Sequence, residues 1–146
     1  MGIDKLFELA NLLALVSWLL LLVVPGKTVT RFLVGSGLVC IIFALTYLIM
    51  ISGSLSPGDF EQFSTLDGLT ALFSNKKAVM AGWLHYLAFD LFVGIWIVRN
   101  AQEVGIKHLY LIPSLLLTFM MGPIGLLSYL ILKSVLFPQE IKRLLT

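Results

Sequence analysis

Charge is what this chain has least of. Only 12% of its 146 residues are Asp, Glu, Lys or Arg, against about a quarter in soluble domains. With 59% hydrophobic residues, so short a chain has too little interior to hide its apolar surface from water. A water-solvated domain is therefore excluded, and the solvent is lipid. Cysteine is nearly absent: Cys40 stands alone, which excludes an intramolecular disulfide, a CxxC redox pair and a cysteine metal site. Two histidines, His85 and His108, lie too far apart in sequence to suggest a ligand cluster, so no metal is expected. The net charge of +2 comes without a basic stripe, and nucleic acid is not an expected partner. The alternating pattern of a transmembrane barrel is missing too.

What is present is long apolar runs. About 20 apolar residues in a helix cross a bilayer core of about 30 Å. Four stretches meet that length, from about Leu6 to Val24, Phe32 to Ile51, Val79 to Val98 and Leu109 to Leu132. Each ends on a breaker or a charge: Pro25-Gly26, Ser52-Gly53-Ser54, Arg99-Asn100 and Lys133. The expectation is one all-α membrane domain over residues 1–146, a bundle of four transmembrane helices. The first run is too long for a signal h-region and lacks a cleavage site after it. No transit segment precedes it, which points to a multi-pass protein of a bacterial inner membrane or an organelle-encoded one. The linker from Ser52 to Ala78 opens with turn chemistry, Ser54-Leu55-Ser56-Pro57-Gly58. Its second half places Leu66, Leu69, Ala71, Leu72 and Phe73 among Asp67, Thr70 and Ser74, the pattern of a short amphipathic helix lying in the membrane interface. Four crossings put both termini on one side with Lys5, Lys76, Lys77, Lys133, Lys142 and Arg143, against Lys27, Arg31, Arg99 and Lys107 on the other. Count and density of positive charge then disagree, and orientation stays open.

Polar groups at membrane depth carry the chemical information. Asp90 falls near the middle of the third run, where an aspartate costs about 2.5–3.5 kcal/mol. It is expected to point inward and meet a polar group on another helix, with Asn11 as the nearest match by depth. His85 lies five residues earlier, roughly 140° around the helix. The face of Asp90 also holds Trp83, Tyr86 and Gly94, and that of His85 holds Phe89, Phe92 and Trp96. The bland alternatives are a structural anchor for Asp90, an interfacial ring for His85 and a helix–helix amide contact for Asn11. In the fourth run, Pro123 within Gly122-Pro123-Ile124-Gly125 removes the N–H that would pair with the Phe119 carbonyl. A bend is expected there, and a second at Pro113, with close helix approach at the glycines.

The segment Gly82-Trp83-Leu84-His85-Tyr86-Leu87-Ala88-Phe89-Asp90-Leu91-Phe92-Val93-Gly94, preceded by Leu72-Phe73-Ser74-Asn75, resembles the abscisic-acid-deficient-four-like membrane family. Ile112-Pro113 and Gly122-Pro123-Ile124-Gly125-Leu126-Leu127 fit its last helix, and Phe7, Asn11, Trp18 and Pro25 its first. Plant members of that family are required for making neoxanthin from violaxanthin. The resemblance implies a protein that handles carotenoids or related isoprenoids, and an isomerase of the neoxanthin-synthase type. Opening an epoxide into an allene needs an acid at oxygen and a base at carbon, roles that Asp90 and His85 would divide. Trp83, Tyr86, Phe89 and Trp96, with Asn11 and Pro123, would then contact the substrate, the rings stabilising positive charge through their faces. An isomerisation needs no external cofactor. The alternative is a non-catalytic carotenoid- or lipid-binding or complex-assembly protein, with homo-oligomerisation left open. A small transporter is disfavoured because inverted repeats are missing.

Overall fold

The computed structural model describes residues 2–52 and 57–138. All regular elements among them are helical. Helix α1 is Ile3–Val23, α2 is Thr28–Ser52, α3 is Leu66–Leu72, α4 is Lys76–Val104, α5 is Ile112–Met121 and α6 is Pro123–Leu136. Short 3₁₀ turns at Pro57–Ser64 and His108–Leu111 join them. Three helices, α1, α2 and α4, are long and apolar enough to cross a membrane.

Local chemistry sets the ends. Helix α1 stops one residue short of Pro25. Helix α2 starts with a single turn and a π segment at Arg31–Gly35, and resumes as α-helix at Leu38–Ser52. Asn75 caps α4, its side-chain oxygen accepting from the Lys77 N–H at 2.8 Å. Gly105, at φ 81°, ends that helix in a left-handed conformation that costs glycine little. Thr65 caps α3 in the same manner as Asn75 caps α4. The helix expected in the long linker is therefore present as α3. The turn expected at Ser54–Gly58 lies largely outside the described residues, and Lys142 and Arg143 lie outside them altogether.

Helix α4 is the hub, in contact with α1, α2, α5 and α6. The face of α1 that meets it carries Ala10, Ala14, Ser17, Trp18 and Leu21, spaced at one side of a helix and all buried. The small residues there allow the close approach that lipid-solvated helices depend on. Trp18 lies against Gly94 of α4, where an added Cβ would come within 2.5 Å of the indole ring. An exposed ion pair between Lys76 and Asp4 brings the start of α4 beside the start of α1. At the other face, His108 Nε2 lies 2.8 Å from the Leu22 carbonyl and Arg99 donates to the Gly35 carbonyl.

The fourth apolar run departs from expectation. It is not one helix but a hairpin of two. Helix α5, at about 15 Å, and α6, at about 21 Å, are each too short to cross a core of about 30 Å. The chain reverses at Gly122, with φ 44° and ψ −95°, and the two arms lie side by side. Ser128 Oγ of α6 is 2.9 Å from Ser114 Oγ of α5. Thr118 sits so close to Gly125 that a Cβ on Gly125 would fall 2.0 Å from the Thr118 nitrogen. Helix α6 ends where α5 began: the Tyr129 hydroxyl donates to Asn100 Oδ1 at 2.8 Å and Lys133 Nζ to the same oxygen at 2.9 Å. The expected bend at Gly122-Pro123 is thus a full reversal. Pro113 causes no second bend, because it occupies the first turn of α5, where a missing N–H costs nothing.

The reversal also corrects the charge count. Lys133 joins Lys27, Arg31, Arg99 and Lys107 at the end of the bundle away from Lys5, Lys76 and Lys77. The described end of the chain lies opposite its beginning.

Candidate functional site

The hairpin tip covers Asp90. Its side chain points inward as expected, and the residue is 8% exposed. The carboxyl packs on the backbone of Gly122, where an added Cβ would lie 2.8 Å from Oδ1. Glycine is required at 122 twice over, for its positive φ and for the room it leaves the carboxyl. Among the described residues, Asp90 Oδ2 is buried without a hydrogen-bond partner, an expensive arrangement in lipid. One turn earlier on the same face, Tyr86 interacts with the carboxyl. Its hydroxyl also reaches the Phe119 carbonyl at 3.4 Å, the oxygen that Pro123 deprives of its helical donor.

Asn11 does not meet Asp90, contrary to expectation. Its side-chain oxygen accepts from Trp83 Nε1 at 2.7 Å. Trp83 stacks on Tyr86 with ring centroids 5.2 Å apart and leans on Phe7 at 5.8 Å. Asn11, Trp83, Tyr86 and the hairpin tip therefore form one connected series along α4, running from near the start of α1 toward mid-bundle.

His85 belongs to another place. Its ring stacks on Phe89 at 4.6 Å and tilts against Tyr47 at 5.9 Å. It lines a cavity of about 370 Å³ enclosed by α2, α3 and the start of α4, with Tyr47, Phe63, Leu72 and Phe73 as its larger walls. Asp90 is not part of that cavity, so the structure does not bring the two expected catalytic groups together. Of the rings expected around a substrate, Trp83, Phe89 and Trp96 line neither this cavity nor the larger one at the opposite end. Trp96 packs edge-on against Tyr129 at 5.7 Å, and Phe89 remains 58% exposed on the outer surface. Pro123 opens α6 beside the tip.

Sequence reading expected close helix approach at Gly125 but missed its partners Ser114, Thr118 and Ser128 in the seam that closes the hairpin, and the convergence of Tyr129 and Lys133 on Asn100. The spacing of small residues every three or four positions on both sides of Gly122 is the signal that marks such a seam.

Residues 5–129 match the model of the ABA DEFICIENT 4-like family. The chain is 25% identical over 143 residues to Protein ABA DEFICIENT 4, chloroplastic, of Arabidopsis thaliana, an alignment covering 93% of this chain and 64% of the relative. The chain thus spans less than two thirds of that relative's length. No solved structure matches. A relative named as chloroplastic gives no support to a bacterial inner membrane, and the membrane character rests on the apolar helices themselves. With the matched region running from the start of α1 into α6, the chain belongs to the ABA DEFICIENT 4-like family.

Proposed function

We propose that this protein binds a carotenoid or related isoprenoid inside the membrane. The carrying observation is the cavity beside His85. At about 370 Å³ it lies at the small end of ligand-pocket volumes, suited to one end of a long isoprenoid whose remainder lies along the bundle in lipid. Its walls are apolar and aromatic, with the Tyr47, Asn75 and His85 side chains as polar groups to orient an oxygenated end ring. Leu69 and Leu72 of helix α3 close one side of it. Ala78→Trp fills this cavity from a partly exposed position. The wild-type protein, gently solubilised and analysed by mass spectrometry, should retain an added epoxycarotenoid. The variant should lose most of it, and equal retention by both proteins would defeat the assignment.

Isomerisation is the second reading, favoured by the unpartnered buried oxygen of Asp90. Turning an epoxide into an allene moves one proton from carbon to the epoxide oxygen and leaves the atom count unchanged. A carboxyl shielded from water is suited to hold that proton between the two steps, and Tyr86 is its neighbour for the transfer. This replaces the division of labour between Asp90 and His85, since His85 faces a different space. For the substrate to reach Asp90 the hairpin tip must move aside. Product formation lost in Asp90→Asn but kept in His85→Phe supports this reading, and activity surviving Asp90→Asn removes it.

A further inference from the structure

A second cavity, of about 790 Å³, opens at the end of the bundle away from Asp4 and Lys76. It lies between the α1–α2 turn, the irregular start of α2 and the last turns of α4. Arg31, Arg99, Thr28, Thr30, Ser36 and Gln102 line it, and among the described residues its walls contain no carboxylate. The Leu21, Ile95 and Val98 side chains supply an apolar floor. Thr30 is fully buried, and its hydroxyl has no hydrogen-bond partner among the described residues. The Arg31 side chain is exposed and likewise has no partner there. Arg99 uses part of its fork on the Gly35 carbonyl, the last residue of the π segment, and keeps its other N–H groups for a ligand. Such π segments inside α-helices are frequent at functional sites.

We propose that this cavity binds a phosphate group carried by an anionic membrane lipid. Paired guanidinium groups match phosphate oxygens in bidentate fashion. The apolar floor receives the first carbons of the hydrocarbon chain. A volume of about 790 Å³ is that of a site for a whole small molecule, more than a free phosphate fills. The same face carries Lys27, Lys107 and Lys133, and by the positive-inside rule it lies where anionic lipids concentrate.

The test titrates the detergent-purified full chain by native mass spectrometry with phosphatidylglycerol and with phosphatidylcholine of the same acyl chains. Inorganic phosphate serves as competitor. Phosphatidylglycerol should bind about tenfold better than phosphatidylcholine, and Arg31→Gln should remove most of that preference, as expected for loss of a charged hydrogen-bond donor. Arg31→Lys should restore part of it. Lys107→Gln, which removes the same charge from the same face outside the cavity, should change binding less than about twofold. Equal binding of the two lipids overturns the proposal, as does an equal loss in Arg31→Gln and Lys107→Gln. Displacement of the lipid by an equal concentration of inorganic phosphate makes free phosphate the ligand and overturns the lipid assignment. Because the exposed Arg31 side chain makes no hydrogen bond or ion pair among the described residues, a folding defect does not mask the result.

Discussion

Helix α4 has two unlike sides. Toward the hairpin it is sealed: Asp90 lies under Gly122, Trp18 lies over Gly94, and the contacts are backbone-close. On the other side its first turns, with the end of α2 and with α3, border a cavity that holds His85 among aromatic rings. The difference shows how one apolar helix holds a costly buried carboxyl and borders an apolar cavity at once. The first needs water excluded and neighbours fixed, whereas the second needs room. Small residues provide the seal, and bulky side chains around His85 leave the room between them.

The contrast depends on the hairpin, and the sharpest way to break it is topological. In a Cys40→Ser background, Lys27→Cys and Pro138→Cys should react with an impermeant thiol reagent from the same side of a vesicle, and Lys77→Cys only from the other. Labelling of the Lys77 and Pro138 positions from one side would mean a fourth crossing and would dissolve the sealed site. Gly125→Leu should have the next largest effect. Its Cβ would fall 2.0 Å from a backbone nitrogen and 2.4 Å from Thr118 Cα, so the arms must separate. A loss of more than about 4 kcal/mol is expected, which is exceptional for one substitution, and a thermal melt in detergent reads it. Normal melting would show that the arms are not packed as described.

Asp90→Asn separates chemistry from packing on the sealed side. The amide is nearly isosteric, so the melting temperature should change by only a few degrees, while an activity that needs the carboxyl proton should be lost. Asp90→Leu, branched and fully apolar, should disturb the Gly122 contact and lower stability further. If both variants melt alike and retain activity, Asp90 is neither catalyst nor anchor. Trp83→Phe should have the smallest effect. It removes the indole donor to Asn11 at 2.7 Å but keeps the stacking on Tyr86, for a cost of about 0.6–1 kcal/mol. A larger loss would mean that the series from Asn11 to the hairpin tip acts as one cooperative unit.

Of the four crossings expected from length and periodicity, three are helices long and apolar enough to cross a membrane, and the helix expected in the linker is present at Leu66–Leu72, because those properties depend on local sequence. The depth of Asp90 and its inward direction were equally legible, since a charge facing hydrocarbon is too costly to be ignored. Pro123 announced a break in the last run, and the loss of the Phe119 donor follows from the amino acid alone. Whether the broken halves continue across the membrane or fold back is set by what the second half finds to pack against. Here Asn100 receives Tyr129 and Lys133, and Gly125 receives Thr118, contacts made between separate helices and only after the reversal. The partner of Asn11, the separation of Asp90 from His85 and the gathering of Arg31 and Arg99 around one cavity are likewise decisions of tertiary structure. A single sequence states which groups must be satisfied; only the relative placement of the helices determines which neighbour satisfies each one.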